Sequence, residues 1–156
     1  MNLVLRFLDY IRALSPALAS ELEQLVTAIN KNFRLTSIPY VSTNFTGNNA
    51  MTWTVIASNV EKLYYRRTGT IVTLWVLINS TTVGGTLNTA LQIDLPLEIT
   101  AKQTSYAIGH ALDNGGGITC VGILAGTRLS VFRPDISNWT AGTAAVRLTM
   151  DYEVSR

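Results

Sequence analysis

The chain of 156 residues carries a single cysteine, a single histidine and few charges, and each scarcity removes a class of function. One cysteine, Cys120, excludes an intrachain disulfide framework, and its setting in Ile118-Thr-Cys-Val-Gly-Ile123 is that of a buried strand residue. One histidine, His110, excludes a histidine-rich zinc site and leaves any histidine-based triad dependent on this residue alone. Within Tyr106-Ala-Ile-Gly-His-Ala-Leu112 it reads as structural. No Cys-x-x-Cys, His-Glu-x-x-His or phosphate-cradling loop occurs, so no metal and no cofactor is expected.

Charged residues make up 14% of the chain and the net charge is +2, with neither half a polycation, so nucleic acid is not expected as a partner. No run approaches the roughly 20 apolar residues that cross a bilayer. Arg6 and Asp9 interrupt the stretch that a signal peptide keeps uncharged, so cytoplasmic synthesis without a signal peptide is expected. Thr, Ser, Asn and Gly are abundant instead, which suits a β protein whose surface is polar but uncharged.

What is present divides into two periodicities. Met1, Val4, Leu8, Ile11, Ser15, Leu18, Leu22, Leu25, Ile29 and Asn32 fall on alternating steps of three and four, which lays one narrow stripe along a helix. Such a stripe suits a seam between copies of the same helix better than a face docked on its own domain, so Leu8, Ile11, Leu18, Leu22, Leu25 and Ile29 are the expected oligomer seam. Pro16 inside a helix would cost about 3 kcal/mol, whereas Ser15-Pro16 fits an N-cap followed by the first helical residue. The expectation is therefore two helices, 3–13 and 16 to about 32, jointed at Ser15-Pro16 and forming a coiled-coil-like stalk or virion anchor over 1–34.

From residue 35 the period is two. Val146, Leu148, Met150, Tyr152 and Val154 alternate with Arg147, Thr149, Asp151, Glu153 and Ser155, the pattern of a half-buried antiparallel strand. Further strands are predicted at 51–57, 61–67, 70–79, 90–95, 103–112, 117–124 and 128–132. Glycine-bearing turns are predicted at 67–70, 82–85 and 113–117. Short strands at this spacing without intervening helices predict a mainly β fold, an antiparallel β-sandwich or jelly roll over 35–156. The strand at 70–79 is apolar on both faces, so its outer face needs cover, which a subunit interface or a central place in the sheet would supply.

For catalysis the carboxylates Asp94, Glu98, Asp113, Asp135, Asp151 and Glu153 are dispersed, and Asp113-Asn114 with its glycines reads as a tight turn rather than a calcium loop. An enzyme acting on a surface polysaccharide, through Asp113 or Asp135, is the least favoured of three readings. The second is a non-catalytic carbohydrate-binding module, in which Trp139 and Tyr40 stack on sugars and Asn114 contributes a contact.

The leading reading comes from a resemblance. Trp53, the stretch Tyr65-Arg-Arg-Thr-Gly-Thr-Ile-Val72 and the later Leu91-Gln-Ile-Asp-Leu-Pro-Leu97 resemble the distal β domains of bacteriophage tail and head fibres. A tryptophan strand, a Tyr-x-x-x-Gly-x-x-Val turn and strand, and a Leu-Pro strand end recur there. The resemblance covers about residues 50–100. It implies a homotrimeric jelly-roll knob, similar in outline to tumour-necrosis-factor and C1q heads, in a virion structural protein. Its amino-terminal helices would bind other virion proteins, and its knob would face a host surface glycan or protein. With only about 35 residues before the knob, it would be a short fibre or spike.

Overall fold

The structure is a computed structural model that describes residues 7, 10–13 and 15–155, with backbone alone for 30–33. The expected seam residue Leu8 and most of the helix expected at 3–13 lie outside the described residues. The chain separates into two compact units, 1–34 and 35–156.

In the first unit, residues 10–13 are helical and helix α1 runs over Pro16–Phe33. Its start is the one expected: Ser15 is extended at φ −153°, its Oγ accepts from Leu18 N at 3.4 Å, and Pro16 occupies the first helical position. Arg12 pairs with Glu23 across this joint. In one straight helix those residues would stand about 16 Å apart, beyond the reach of the two side chains, so the chain bends at Ser15. At 18 residues α1 is about 27 Å long.

The second unit is mainly β and antiparallel throughout. Its strands are β1 (Leu35–Ser37), β2 (Phe45–Gly47), β3 (Met51–Thr54), β4 (Val60–Thr68), β5 (Ile71–Gly85), β6 (Ala90–Asp94), β7 (Ser105–Asp113), β8 (Gly116–Ala125), β9 (Arg128–Phe132) and β10 (Gly142–Glu153). Where two facing sheets were expected, the hydrogen bonding is continuous, in the order β1-β4-β5-β10-β7-β8-β9-β6-β2, with β3 added to β5. The sheet curls on itself. Phe45 on β2 pairs with Ile93 on β6, at one end of that order, and Met51 on β3 pairs with Gly85 on β5, near the other. The three residues between β2 and β3 span at most about 14 Å, so these two regions of the sheet come together. Asn48 fixes the link, donating to Asn88 Oδ1 at 2.9 Å and accepting from Ala90 N at 2.9 Å.

The main departure from the sequence reading is β5. The glycines at 84 and 85 suggested a turn at 82–85, yet the strand continues through them because it bends and changes partner. Before the bend β5 pairs with β4, and after it with β3, while β10 follows on the other side. The bend is a β-bulge: Ala144 faces Thr81 and Val146 faces Ile78, so β5 carries one residue more than β10, and Ser80 takes φ 54°. Asn59 Nδ2 donates to Ser80 O at 3.1 Å and Asn79 Nδ2 to Glu61 Oε1 at 2.6 Å, which satisfies polar groups at the bulge. Gly85 is required at its end, since at φ 70° a Cβ would stand 2.6 Å from Ala50 O.

Inside the curl lies one hydrophobic core. The alternation of β10 holds, with Val146, Leu148, Met150, Tyr152 and Val154 all buried, and on β5 Val72, Leu74, Val76 and Ile78 point the same way. Trp53 Nε1 donates to Thr81 Oγ1 at 2.8 Å, and that hydroxyl donates to Ala144 O at 2.8 Å, so these two buried polar side chains are paired. The short strands β1 and β2 had no pattern long enough to read from sequence, and the strand expected at 51–57 stops at Thr54.

Candidate functional site

The residues singled out for ligand contact do not assemble into a site. Trp139 is fully buried: its Nε1 donates to Val131 O at 3.2 Å and its backbone N to Asn88 O at 2.9 Å. An indole so placed has no face left for a sugar. This corrects the reading of Trp139 as an exposed platform, and the reason is the sheet curl, which turns the loop between β9 and β10 inward. Tyr40 is half-buried, stacked on Phe45 at a ring separation of 5.7 Å with its hydroxyl donating to Val55 O at 2.7 Å, so it too is engaged within the fold. Asn114 is exposed, but it forms the β7–β8 turn with Gly115, at φ 48° and 82°, the two positive angles of a two-residue hairpin.

The two carboxylates named for catalysis are drawn together by an arginine that sequence gave no reason to choose. Asp113 is buried, accepting from Arg133 Nη1 at 2.5 Å, from Thr140 N at 2.9 Å and from Thr140 Oγ1 at 3.1 Å. Asp135 lies 3.6 Å from Arg133 Nε and accepts from Ser137 N and Oγ, and those hydrogen bonds hold its carboxyl below the usual range. Asp113 therefore ties the 133–140 loop to the end of β7, and its burial and saturated contacts leave no approach for a substrate. Cys120 is fully buried as expected, and burial pushes its thiol up to about 11. Among the described residues no group of three or more His, Cys, Asp or Glu side chains stands together in the manner of a metal site.

The outer face of the sheet is more informative. Strand register places Lys62 opposite Leu77, Leu77 opposite Arg147 and Arg147 opposite His110, which makes one transverse row across β4, β5, β10 and β7. His110, read from sequence as structural, is exposed in this row. Alongside runs a second row, Tyr64, Trp75 and Thr149. Tyr64 packs on Trp75 at 5.3 Å between ring centroids, and the Arg66 guanidinium lies 5.7 Å from the Trp75 ring, so the apolar outer face of β5 is covered in part from within the same chain. Two shallow depressions of about 300 and 220 Å³ meet at Arg147, the first lined by Lys62, Trp75 and Thr149, the second by Asn79, His110 and Leu112. The alternation of Lys62, Tyr64 and Arg66 along β4 was the available sequence signal, but nothing local joins it to Arg147.

Among the described residues apolar surface is open on both units. On α1, Leu18, Leu25 and Ile29 are 46%, 55% and 46% exposed, with Leu22 half-buried beside them, while Ile11 of the same expected seam is half-buried. On the outside of β7, Tyr106 and Ile108 are 68% and 78% exposed, opposite Ile123 and Val121 of β8. Comparison with protein-family models, curated proteins and solved structures gives no match for this chain.

Proposed function

We propose that the chain is a self-associating virion structural protein of a bacteriophage, a short trimeric fibre or spike. In this reading the helical unit joins the copies and meets other virion proteins, and the β unit is the knob exposed for attachment to a host surface. The observation that carries it is the stripe of Leu18, Leu25 and Ile29, open to solvent at the spacing by which a helix packs against copies of itself. Most helix stability in proteins comes from packing an apolar face, so an apolar stripe left open on α1 argues for a partner. Tyr106 and Ile108 offer sister subunits a second apolar surface on the β unit. The assignment to phage particles rests on the resemblance of residues 50–100 to fibre domains.

Light scattering after size exclusion tests the reading on the full chain and on a fragment beginning at Leu35. A mass of about three times 17.0 kDa supports it, and a monodisperse 17.0 kDa species overturns it. The second reading, a non-catalytic carbohydrate-binding module, loses Trp139 and Tyr40 but is favoured by the cationic and aromatic rows on the outer face.

A further inference from the structure

We infer that the outer face of β4, β5, β10 and β7 is a binding site for an acidic saccharide, with Arg147 at its centre. Lys62, Arg147 and His110 lie in one row, and none of them has an ion-pair partner among the described residues. Exposed cations on a sheet are commonly paired with carboxylates on the neighbouring strand. Here the residues directly opposite are Leu77, Arg147 and His110 themselves, so no carboxylate stands across the strand from Lys62 or Arg147. The acid on β4, Glu61, forms no ion pair among the described residues and accepts from the Asn79 amide at 2.6 Å, and Asp151 lies two rows away, beyond Trp75 and Thr149.

The size and chemistry of the face select the ligand. From β4 to β7 is three inter-strand spacings, about 14 Å, which is a short oligosaccharide rather than a tracked polymer backbone. Single-stranded nucleic acid sites extend over about 4–16 nucleotides and need successive stacking rings along a basic groove, and this face has one short cationic row. A saccharide bearing carboxylates matches both rows at once. Its anionic groups reach Lys62 and Arg147, the latter able to bind a carboxylate through two parallel N–H donors, while its apolar C–H surface lies against the part of Trp75 that lines the first depression. His110 and Asn79 supply further polar contacts in the second depression, and the hydroxyls of the sugar find Thr149.

No residue of this site belongs to the proposed helical seam, and its test reads ligand binding rather than mass, so failure of the site and failure of the trimer are distinguishable. The test is titration of the full chain with tetragalacturonate, followed by NMR or calorimetry, beside the uncharged tetragalactose, an oligothymidylate and a tetraglutamate peptide. Expected is saturable binding of tetragalacturonate that weakens as salt is raised, with tetragalactose at least tenfold weaker. Arg147→Ala should lose at least tenfold in affinity with an unchanged thermal midpoint, and Arg147→Lys should retain part of it. Lys62→Ala, equally exposed, gives an independent variant. Absence of tetragalacturonate binding, equal binding by Arg147→Ala, or equal or tighter binding of oligothymidylate or tetraglutamate would each overturn the inference.

Discussion

Asp113 at the end of β7 accepts from the guanidinium of Arg133, which stands on the far side of the turn-bearing 133–140 loop, and the same carboxylate holds Thr140 through two further bonds. A carboxylate 3% exposed on its side chain, facing an arginine 26% exposed, is a largely desolvated pair. Removing Asp113 leaves Arg133 with only the longer contact to Asp135, at 3.6 Å, and leaves the Thr140 donors without their acceptor. Asp113→Ala should therefore lower unfolding free energy by about 2–3 kcal/mol, and adding Arg133→Met should restore part of the loss. Urea denaturation of both single variants and the double variant gives the coupling, and simple additivity would contradict the pairing.

Trp139 tests whether the β9–β10 loop belongs to the core. Its complete burial predicts that Trp139→Ala costs about 3–5 kcal/mol. A surface tryptophan would cost well under 1 kcal/mol, so the chemical-denaturation midpoint separates the two cases.

Alkaline stability follows from Cys120. The folded thiol is raised from 9.0 to about 11 by burial, so above pH 9 the unfolded chain sheds a proton that the folded chain keeps. The contribution is intact below pH 9 and is lost as pH rises towards 11, of order 2 kcal/mol in total. Tyr152, also raised by burial and donating to Ile99 O at 3.0 Å, acts in the same sense. Urea midpoints between pH 8 and 11 should fall less steeply for Cys120→Ala than for the parent chain, and parallel curves would remove Cys120 from the effect. Below pH 9 the native thiol should resist aromatic disulfide reagents until the protein is unfolded.

The stripe on α1 predicts that Leu18→Ser, Leu25→Ser and Ile29→Ser together convert the full chain from about three times 17.0 kDa to a 17.0 kDa species. Those side chains are about half exposed in the single chain, so the β unit should keep its thermal transition. A mass unaffected by the three serines would place any self-association elsewhere, with Tyr106 and Ile108 the next residues to change.

Much of the local structure was legible in the sequence because it depends on neighbours along the chain. Ser15-Pro16 caps α1 because a hydroxyl and a fixed φ act within one turn. The β10 alternation gives its buried face because side chains on a strand point to opposite sides. Asn114-Gly115 closes a hairpin because both angles can be positive. The extension of β5 through Gly85 was hidden, since glycines that mark a turn in isolation also serve a strand that meets another backbone closely.

The sequence by itself determined a mainly β unit after a helical one, with the inward set of β10 and a buried Cys120, while β5, apolar on both faces, showed no inward side. Only the tertiary structure decided which strands are neighbours. Alternation tells a side chain its face but not its partner, because register is set by pairing between segments far apart in the chain. That is why the outer row of Lys62, Leu77, Arg147 and His110, the contact of Asp113 with Arg133 and the burial of Trp139 emerged only when the sheet curled.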